Sequence, residues 1–330
     1  MVTAPFSKNS TVLVTGGAGY IGSHVVRELL GVGYRVKVID DLSTGHRSRI
    51  ASLPINFFEG KFQDLKILTR ALVDVDSIIH LAASKSVEES VYDPEKYYRD
   101  NFFGTMKLIN EVCQWQIKRF VFSSSAAVYH PMPNVQLSED SLLGPPSPYG
   151  LSKLLCEKLF ELSSMVSQIQ FTSLRYFNVI GSGAPNLGDS STFNLVPKTL
   201  QCIKNGLAPV INGNNLDTPD GTCVRDYIDV RDVADAHVRA LENNSPSKGL
   251  VTYNLGSGQG FSVLEIIDNL LKEIGVVVSP EFEPSRPGDP PYLVASFEKI
   301  NRELGWKPKY KLGEMIKSSV AAWRYSIAQE

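Results

Sequence analysis

The sequence predicts an α/β protein, a doubly wound parallel sheet with a smaller, interleaved α/β lobe in its C-terminal half. Three observations carry this. Short apolar strand patterns alternate with helical ones from Thr11 to Tyr176, an alternation that implies a parallel sheet covered on both faces. The first strand runs directly into Gly16-Gly17-Ala18-Gly19-Tyr20-Ile21-Gly22, a glycine-rich turn that opens a helix. After Tyr176 the regularity weakens, and Gly, Pro and Asn become frequent between Asn178 and Gly221. The expected division is a sheet domain over 1–177 and a lobe over 178–330, with some segments of the lobe returning to the sheet domain.

Taken in order, Thr11–Thr15 (TVLVT) reads as the first strand. The helix after the glycine turn carries Ile21, Val25, Leu29 and Leu30 along one stripe, and Gly31 and Gly33 stop it. Further strands are expected at Arg35–Ile39, Ile55–Glu59, Ser77–Leu81, Arg119–Ser124 and Phe171–Tyr176. Helical patterns at Leu65–Leu72, Pro94–Trp115 and Tyr149–Ser164 lie between them. In the second half, Leu195–Lys204, Val263–Ile274 and Gly313–Tyr325 read as helices and Val251–Leu255 as a strand.

A chain of 330 residues suffices for one large domain with a second lobe. A formal net charge of -2 leaves general nucleic-acid binding without support. Met1–Ser10 lacks the apolar core of a signal peptide, and no apolar run approaches the ~20 residues of a membrane span. Cys113, Cys156, Cys202 and Cys223 are widely separated, without a C-x-x-C pair. They are expected as buried free thiols in a reducing cytoplasm, not as disulfides or a metal site. The sequons at Asn9 and Asn243 read as chance.

Gly16, Gly19 and Gly22 follow a strand and open a helix, the context of a dinucleotide loop in a Rossmann-type sheet. Glycine there allows a tight turn and close approach of backbone N–H groups to a pyrophosphate, whose charge the helix N-terminus favours. Asp40 ends the second strand, 18 residues beyond Gly22. A carboxylate at that place accepts from ribose hydroxyls and repels a 2′-phosphate, and Asp41 beside it strengthens the preference for NAD.

Tyr149 and Lys153 are four residues apart within Tyr149-Gly-Leu-Ser-Lys153, so on a helix they share a face. A free phenol ionises near pH ~10 and a general base works best near ~7. Closing that gap takes about 4 kcal/mol, roughly what one cation supplies from ~4 Å at an effective dielectric of ~20. The strand before them delivers Ser125 to the carboxyl edge of the sheet, where such folds bind ligands. Each residue alone has an ordinary reading, as a turn serine, a packed tyrosine or a solvated lysine. Together, downstream of a nucleotide loop, they point to proton abstraction coupled to hydride transfer.

The motifs GGAGYIGSH (Gly16–His24), IIHLAASKSVEES (Ile78–Ser90), FSSSAAVY (Phe122–Tyr129), SPYGLSK (Ser147–Lys153), LRYFNVIG (Leu174–Gly181), GTCVRDYIDVRDVA (Gly221–Ala234), YNLGSG (Tyr253–Gly258) and RPGD (Arg286–Asp289) cover nearly the whole chain. With them the chain resembles the extended short-chain dehydrogenase/reductase family, and within it the UDP-glucose (UDP-galactose) 4-epimerases. The resemblance implies reversible C4 epimerisation of a UDP-hexose through a 4-keto intermediate, with tightly bound NAD, in a homodimer built on the helices at Pro94–Trp115 and Tyr149–Ser164. It implies Tyr149 as base, Lys153 as its electrostatic partner and ribose ligand, and Ser125 as the hydroxyl near the sugar O4. Tyr20, Ile21, Asp40, Phe62, Leu81, Ala82, Ala83, Lys85, Asn101, Ser123 and Tyr176 would line the NAD site. Lys85, Phe177, Asn178, Asn194, Leu195, Arg225, Arg286 and Asp289 would hold the UDP-sugar, the two arginines forking donors onto its pyrophosphate. For Lys85 a solvated side chain, and for Asp289 a turn role after Gly288, are the alternatives.

The chain departs from the family pattern in four places. Lys61 stands where an Asp usually bonds the adenine amino group, and lysine cannot accept that bond, which would shift the contact to Phe62 or Asp64. Asn212 replaces an aromatic that stacks on uracil, Ser182–Phe193 is short, and Leu293 is intermediate at a pocket-size position. Ala126-Ala127 after Ser125 lack the Asp-Glu pair that dehydratases of this group use. Epimerases of other UDP-sugars, UDP-sugar decarboxylases and a non-catalytic NAD-binding regulator are the rival readings.

Overall fold

In a computed structural model of the chain, the main sheet contains β1 (Thr11–Thr15), β2 (Arg35–Asp40), β3 (Asn56–Glu59), β4 (Ser77–His80) and β5 (Arg119–Ser125). Past the short β6 (Gln136–Leu137) comes β7 (Gln170–Tyr176). Past β8 (Asn178–Ile180), β9 (Val210–Asn212) and β10 (Val224–Asp229) comes the last strand of this sheet, β11 (Leu250–Leu255). The order is β11-β7-β5-β4-β1-β2-β3, with every neighbouring pair parallel. The structure describes residues 10–132, 134–243, 249–286 and 289–329. Asn9 of the first sequon, and Pro287 and Gly288 of the RPGD motif, lie outside them.

Among the described residues, eleven α-helices accompany the strands: α1 (Tyr20–Gly31), α2 (Leu65–Leu72), α3 (Val87–Tyr92), α4 (Pro94–Tyr97), α5 (Gly104–Val112), α6 (Pro148–Val166), α7 (Leu195–Lys204), α8 (Val230–Glu242), α9 (Val263–Ile274), α10 (Glu298–Leu304) and α11 (Leu312–Ile327). The two-residue period of a strand explains the layers. In β1, Val12 and Val14 face a core shared with Val25 and Leu29 of α1 and Val233 of α8. Leu13 points the other way, into a core with Leu68 of α2, Leu108 of α5 and Phe160 of α6. Sheet order reverses between β1 and β4, which opens a crevice at their carboxyl ends.

A second sheet runs β12-β10-β14-β6, with β12 (Gly260–Ser262) and β14 (Tyr292–Ala295), and β8 pairs with β10. β13 (Glu281–Glu283) pairs with β9 as a separate ribbon. The two halves of the chain exchange elements: β11 and α8 join the main sheet, while β6 pairs with β14.

Several expectations are corrected. The helix expected over Pro94–Trp115 is broken: α4 passes through a π-helical turn, Tyr98–Phe103, into α5, which ends at Val112. Within that turn Asn101 is 2% exposed and spends its amide on Ser84 and Ser152, a local need that an apolar stripe does not display. β10 and α8 escape hydrophobic patterning because buried charges interrupt it. Asp226 is fully buried yet accepts from Ser257, Gly258 and Ala295. Of the cysteines, Cys156 and Cys223 are buried free thiols, Cys202 is half-buried and Cys113 is exposed. No helix among the described residues is long and apolar enough to cross a membrane, and none of their His, Cys, Asp and Glu side chains gather in threes around a metal position.

Candidate active site

A cavity of ≈ 1250 Å³ lies along the carboxyl ends of the main sheet and extends to β10. One end is the glycine turn. A Cβ on Gly22 would stand 2.1 Å from the Gly16 carbonyl oxygen, and one on Gly16, at φ +75°, 2.8 Å from the Ala82 nitrogen. Neither position tolerates a side chain. Gly19 caps α1 without a side chain and the first turn holds no acid, so nothing of the chain's own neutralises that helix end. The cradle fits a pyrophosphate. Asp40 closes the turn, accepting from the Ala18 and Leu42 amides at 2.9 Å each, while burial pushes its carboxyl above the ordinary value.

The middle of the cavity is built by β5 and α6. Ser147 caps α6 by accepting from the Gly150 amide at 3.1 Å. A Cβ on Gly150 would stand 2.2 Å from the Ala127 carbonyl oxygen, so the first turn of α6 sits hard against the end of β5. That contact brings Tyr149 beside Ser125, whose hydroxyl is near enough to draw the phenol's pKa down. The Tyr149 ring meets buried Tyr97 edge-on, centroids 6.3 Å apart. Lys153 is 2% exposed and donates to the Ser123 carbonyl at 2.7 Å. Four residues further along α6, buried Glu157 accepts from Ser124 at 2.6 Å and from both forks of Arg175, anchoring the helix to β5 and β7.

The electrostatics differ from the simple pair expected. The Lys153 ammonium stands 5.9 Å from the Tyr149 ring centroid, and burial lowers it to about 8. Burial also pushes the Tyr149 phenol up, outweighing the opposite pull of the nearby Ser125 hydroxyl.

At the far end Arg225, 8% exposed, donates to the Val224 carbonyl and to Asp289. Arg286 is more open and lies 3.3 Å from Glu88. Asn194 donates to Asp189 at 2.6 Å, and Asp189 stands 3.9 Å from the Lys85 ammonium. Asp189 thus joins two residues expected in different sites. Arg49, 4% exposed, clamps the same segment through the Gly188 carbonyl and Ser190.

The model of the NAD dependent epimerase/dehydratase family matches residues 12–256. The chain belongs to this family. A UDP-glucose 4-epimerase of Azospirillum brasilense is 40% identical over 325 residues, spanning 96% of this chain and 93% of the relative. The UDP-glucose 4-epimerase of Stenotrophomonas maltophila, solved with NAD and formylated UDP-arabinopyranose, superposes with a TM-score of 0.92 at 34% identity, over 98% of this chain and 100% of that one. That of Bifidobacterium longum, solved with NAD+ and UDP, gives 0.90 at 34% identity, over 96% and 98%.

Within this NAD-dependent epimerase fold, the expected site residues gather with one exception. Gly16, Gly19, Tyr20, Ile21, Gly22, Asp40, Asp41, Phe62, Leu81, Ala82, Ala83, Lys85, Ser123 and Tyr176 line the cavity, as do Ser125, Tyr149 and Lys153. Phe177, Asn178, Asn194, Leu195, Arg225, Arg286 and Asp289 line its other end. Asn101 is off the wall, behind Ser84. Asp64 is not on it either and caps α2, which leaves Phe62 as the alternative adenine contact. Lys61 and Asn212 do line the cavity; Asn212 bonds Glu283 at 3.3 Å. The sequence reading missed Asp189, Arg49 and Tyr227, whose places follow from tertiary contacts that no local pattern announces.

Proposed function

We propose that the chain interconverts UDP-glucose and UDP-galactose by reversible inversion at C4, through a 4-keto sugar, with NAD resident. The carrying observation is the convergence of Tyr149, Ser125 and Lys153 midway between a glycine cradle and a buried arginine in one cavity. NAD+ bound in this cradle would supply the hydride acceptor, the donor for the return step and a positive charge. Tyr149 takes the O4 proton as the carbonyl forms and gives it back after the sugar has turned over. Ser125 holds O4, and Lys153 favours the phenolate through its charge. Arg225 and Arg286 bind the diphosphate, with Phe177, Asn178, Asn194, Leu195 and Asp289 around the rest of the nucleotide. The hexose stays loosely held, free to rotate about its bond to phosphate. The glycine turn, Asp40 and Leu81–Ala83 hold the dinucleotide, and Lys85 reaches both ligands. On purified protein, Tyr149→Phe abolishes conversion of UDP-galactose followed by proton NMR while leaving the UDP Kd within about twofold; a near-normal rate refutes the role of Tyr149.

We infer further that the protein is a cytoplasmic homodimer. The reduced cysteines accord with a reducing compartment. Phe103 and, on α6, Leu162, Met165 and Val166 are exposed apolar residues, the kind of surface that a partner covers. Light scattering should give the mass of two chains, and Leu162→Glu with Val166→Glu should reduce it to one.

A further inference from the structure

Among the described residues, the buried Tyr227 hydroxyl makes no hydrogen bond of good geometry, with Asn178 as its polar neighbour. It lies in β10 two residues beyond Arg225, so both side chains leave the strand on the same face. The ring is 1% exposed and packs in an apolar cluster with Ile180, Val196, Leu200 and Ile266. The residue lines the cavity, and its hydroxyl lies in electrostatic range of Arg225, Cys223 and Asp289. Asn178 is beside it as well, yet among the described residues no atom stands in hydrogen-bonding geometry to the buried oxygen. A buried hydroxyl left unpaired destabilises the fold, and phenylalanine would fill the same space without that penalty. The surroundings are not loosely satisfied: adjacent Asp226 takes bonds from three residues, and Arg225 uses both fork nitrogens.

We propose that the Tyr227 hydroxyl donates to a phosphoryl oxygen of the bound nucleoside diphosphate, next to Arg225. The inference rests on the UDP-sugar reading above and adds a binding residue to it. Burial pushes the phenol well up despite the nearby guanidinium, so the group is a proton donor at any working pH. Among the described residues the buried Arg225 cation has its ion pair with Asp289, and an anionic ligand group suits that neighbourhood. A phosphoryl oxygen can accept from the guanidinium and the phenol together, and its charge strengthens both bonds beyond what a neutral sugar hydroxyl would give.

The test is Tyr227→Phe in the holoenzyme, measured by calorimetric titration with UDP and with uridine and by thermal unfolding. A hydrogen bond to a charged acceptor converts to roughly a tenfold or greater loss of UDP affinity. Uridine affinity should be unchanged, and the Tm without UDP should be equal or higher, because an unsatisfied buried hydroxyl has been removed. Unchanged UDP affinity, an equal loss for uridine, or a lowered Tm with normal UDP binding each overturns the assignment. If the unaltered chain converts UDP-galactose and Tyr227→Phe binds UDP normally, only this inference falls; if the unaltered chain binds no UDP, the functional reading falls with it.

Discussion

At the residue scale, the buried ammonium of Lys153 on the face of α6 that carries Tyr149 sets a measurable consequence. Removing a cation disfavours a neighbouring anion, so Lys153→Met should raise the apparent pKa of the base. One cation within ~4–6 Å at an effective dielectric of ~20 is worth about 3–4 kcal/mol, roughly two to three pH units. The acid limb of kcat/KM should therefore move to higher pH by about that amount, with turnover near neutrality falling on the order of a hundredfold; an unmoved limb assigns the lysine another role. Tyr149, Lys153 and Ser125 were legible in the sequence because their relation is local, a four-residue helical spacing and the end of a strand. The place of Asn101 was not legible, for the complementary reason. Whether an asparagine faces a cavity or ties Ser84 to Ser152 depends on neighbours distant in sequence. Asp189, joining Lys85 to Asn194, is equally silent there.

At the element scale, the glycines at helix starts decide where the chemistry stands. Gly150→Ala would set a methyl 2.2 Å from the Ala127 carbonyl oxygen, and either α6 or the turn after β5 must yield. Tyr149 is one residue away, so turnover should fall at least a hundredfold while UDP binding, made from β10, stays within a few fold; a parallel loss of both would mean general unfolding. α7 and α9 match the sequence expectation residue for residue. For α9 the reason is visible: Ser262 caps the Glu265 amide and Gly275 ends the helix in left-handed conformation. The pattern fails at β10 and α8, where fully buried Asp226, Asp229 and His237 break the apolar stripe; Asp226 and His237 are satisfied across the fold by Ser257 and Tyr176, and Asp229 locally by Arg231 as it caps α8.

At the scale of the whole molecule, buried histidines tie stability to pH. Burial lowers His24 to about 4, His80 to about 3 and His237 to about 4. Each stays neutral in the fold while the unfolded chain takes up a proton below ~6.5. Stability therefore falls as pH drops from ~6.5 toward ~4, since the unfolded state binds the extra protons. Asp226 and Asp232, raised by burial to about 6, act in the opposite sense over ~6 to ~4. Nitrogen-detected NMR at pH 5.5 should find all three rings neutral; a charged ring there would place its histidine in solvent.

The parallel sheet and the glycine cradle were readable from alternation and spacing, whereas the spatial order of the strands was not read and the exchange of β6, α8 and β11 between the halves was only outlined, because pairing partners far apart leave no period. What the cavity joins, a dinucleotide cradle, a phenol and a buried arginine, forms one catalytic unit in which a hydrogen leaves the sugar carbon and comes back to it. The most direct measurement is conversion of UDP-galactose carrying deuterium at C4, without added NAD and in ordinary water, followed by NMR. The account predicts UDP-glucose that retains the deuterium at C4. UDP-glucose with solvent hydrogen at that carbon, or no UDP-glucose, would be incompatible with it.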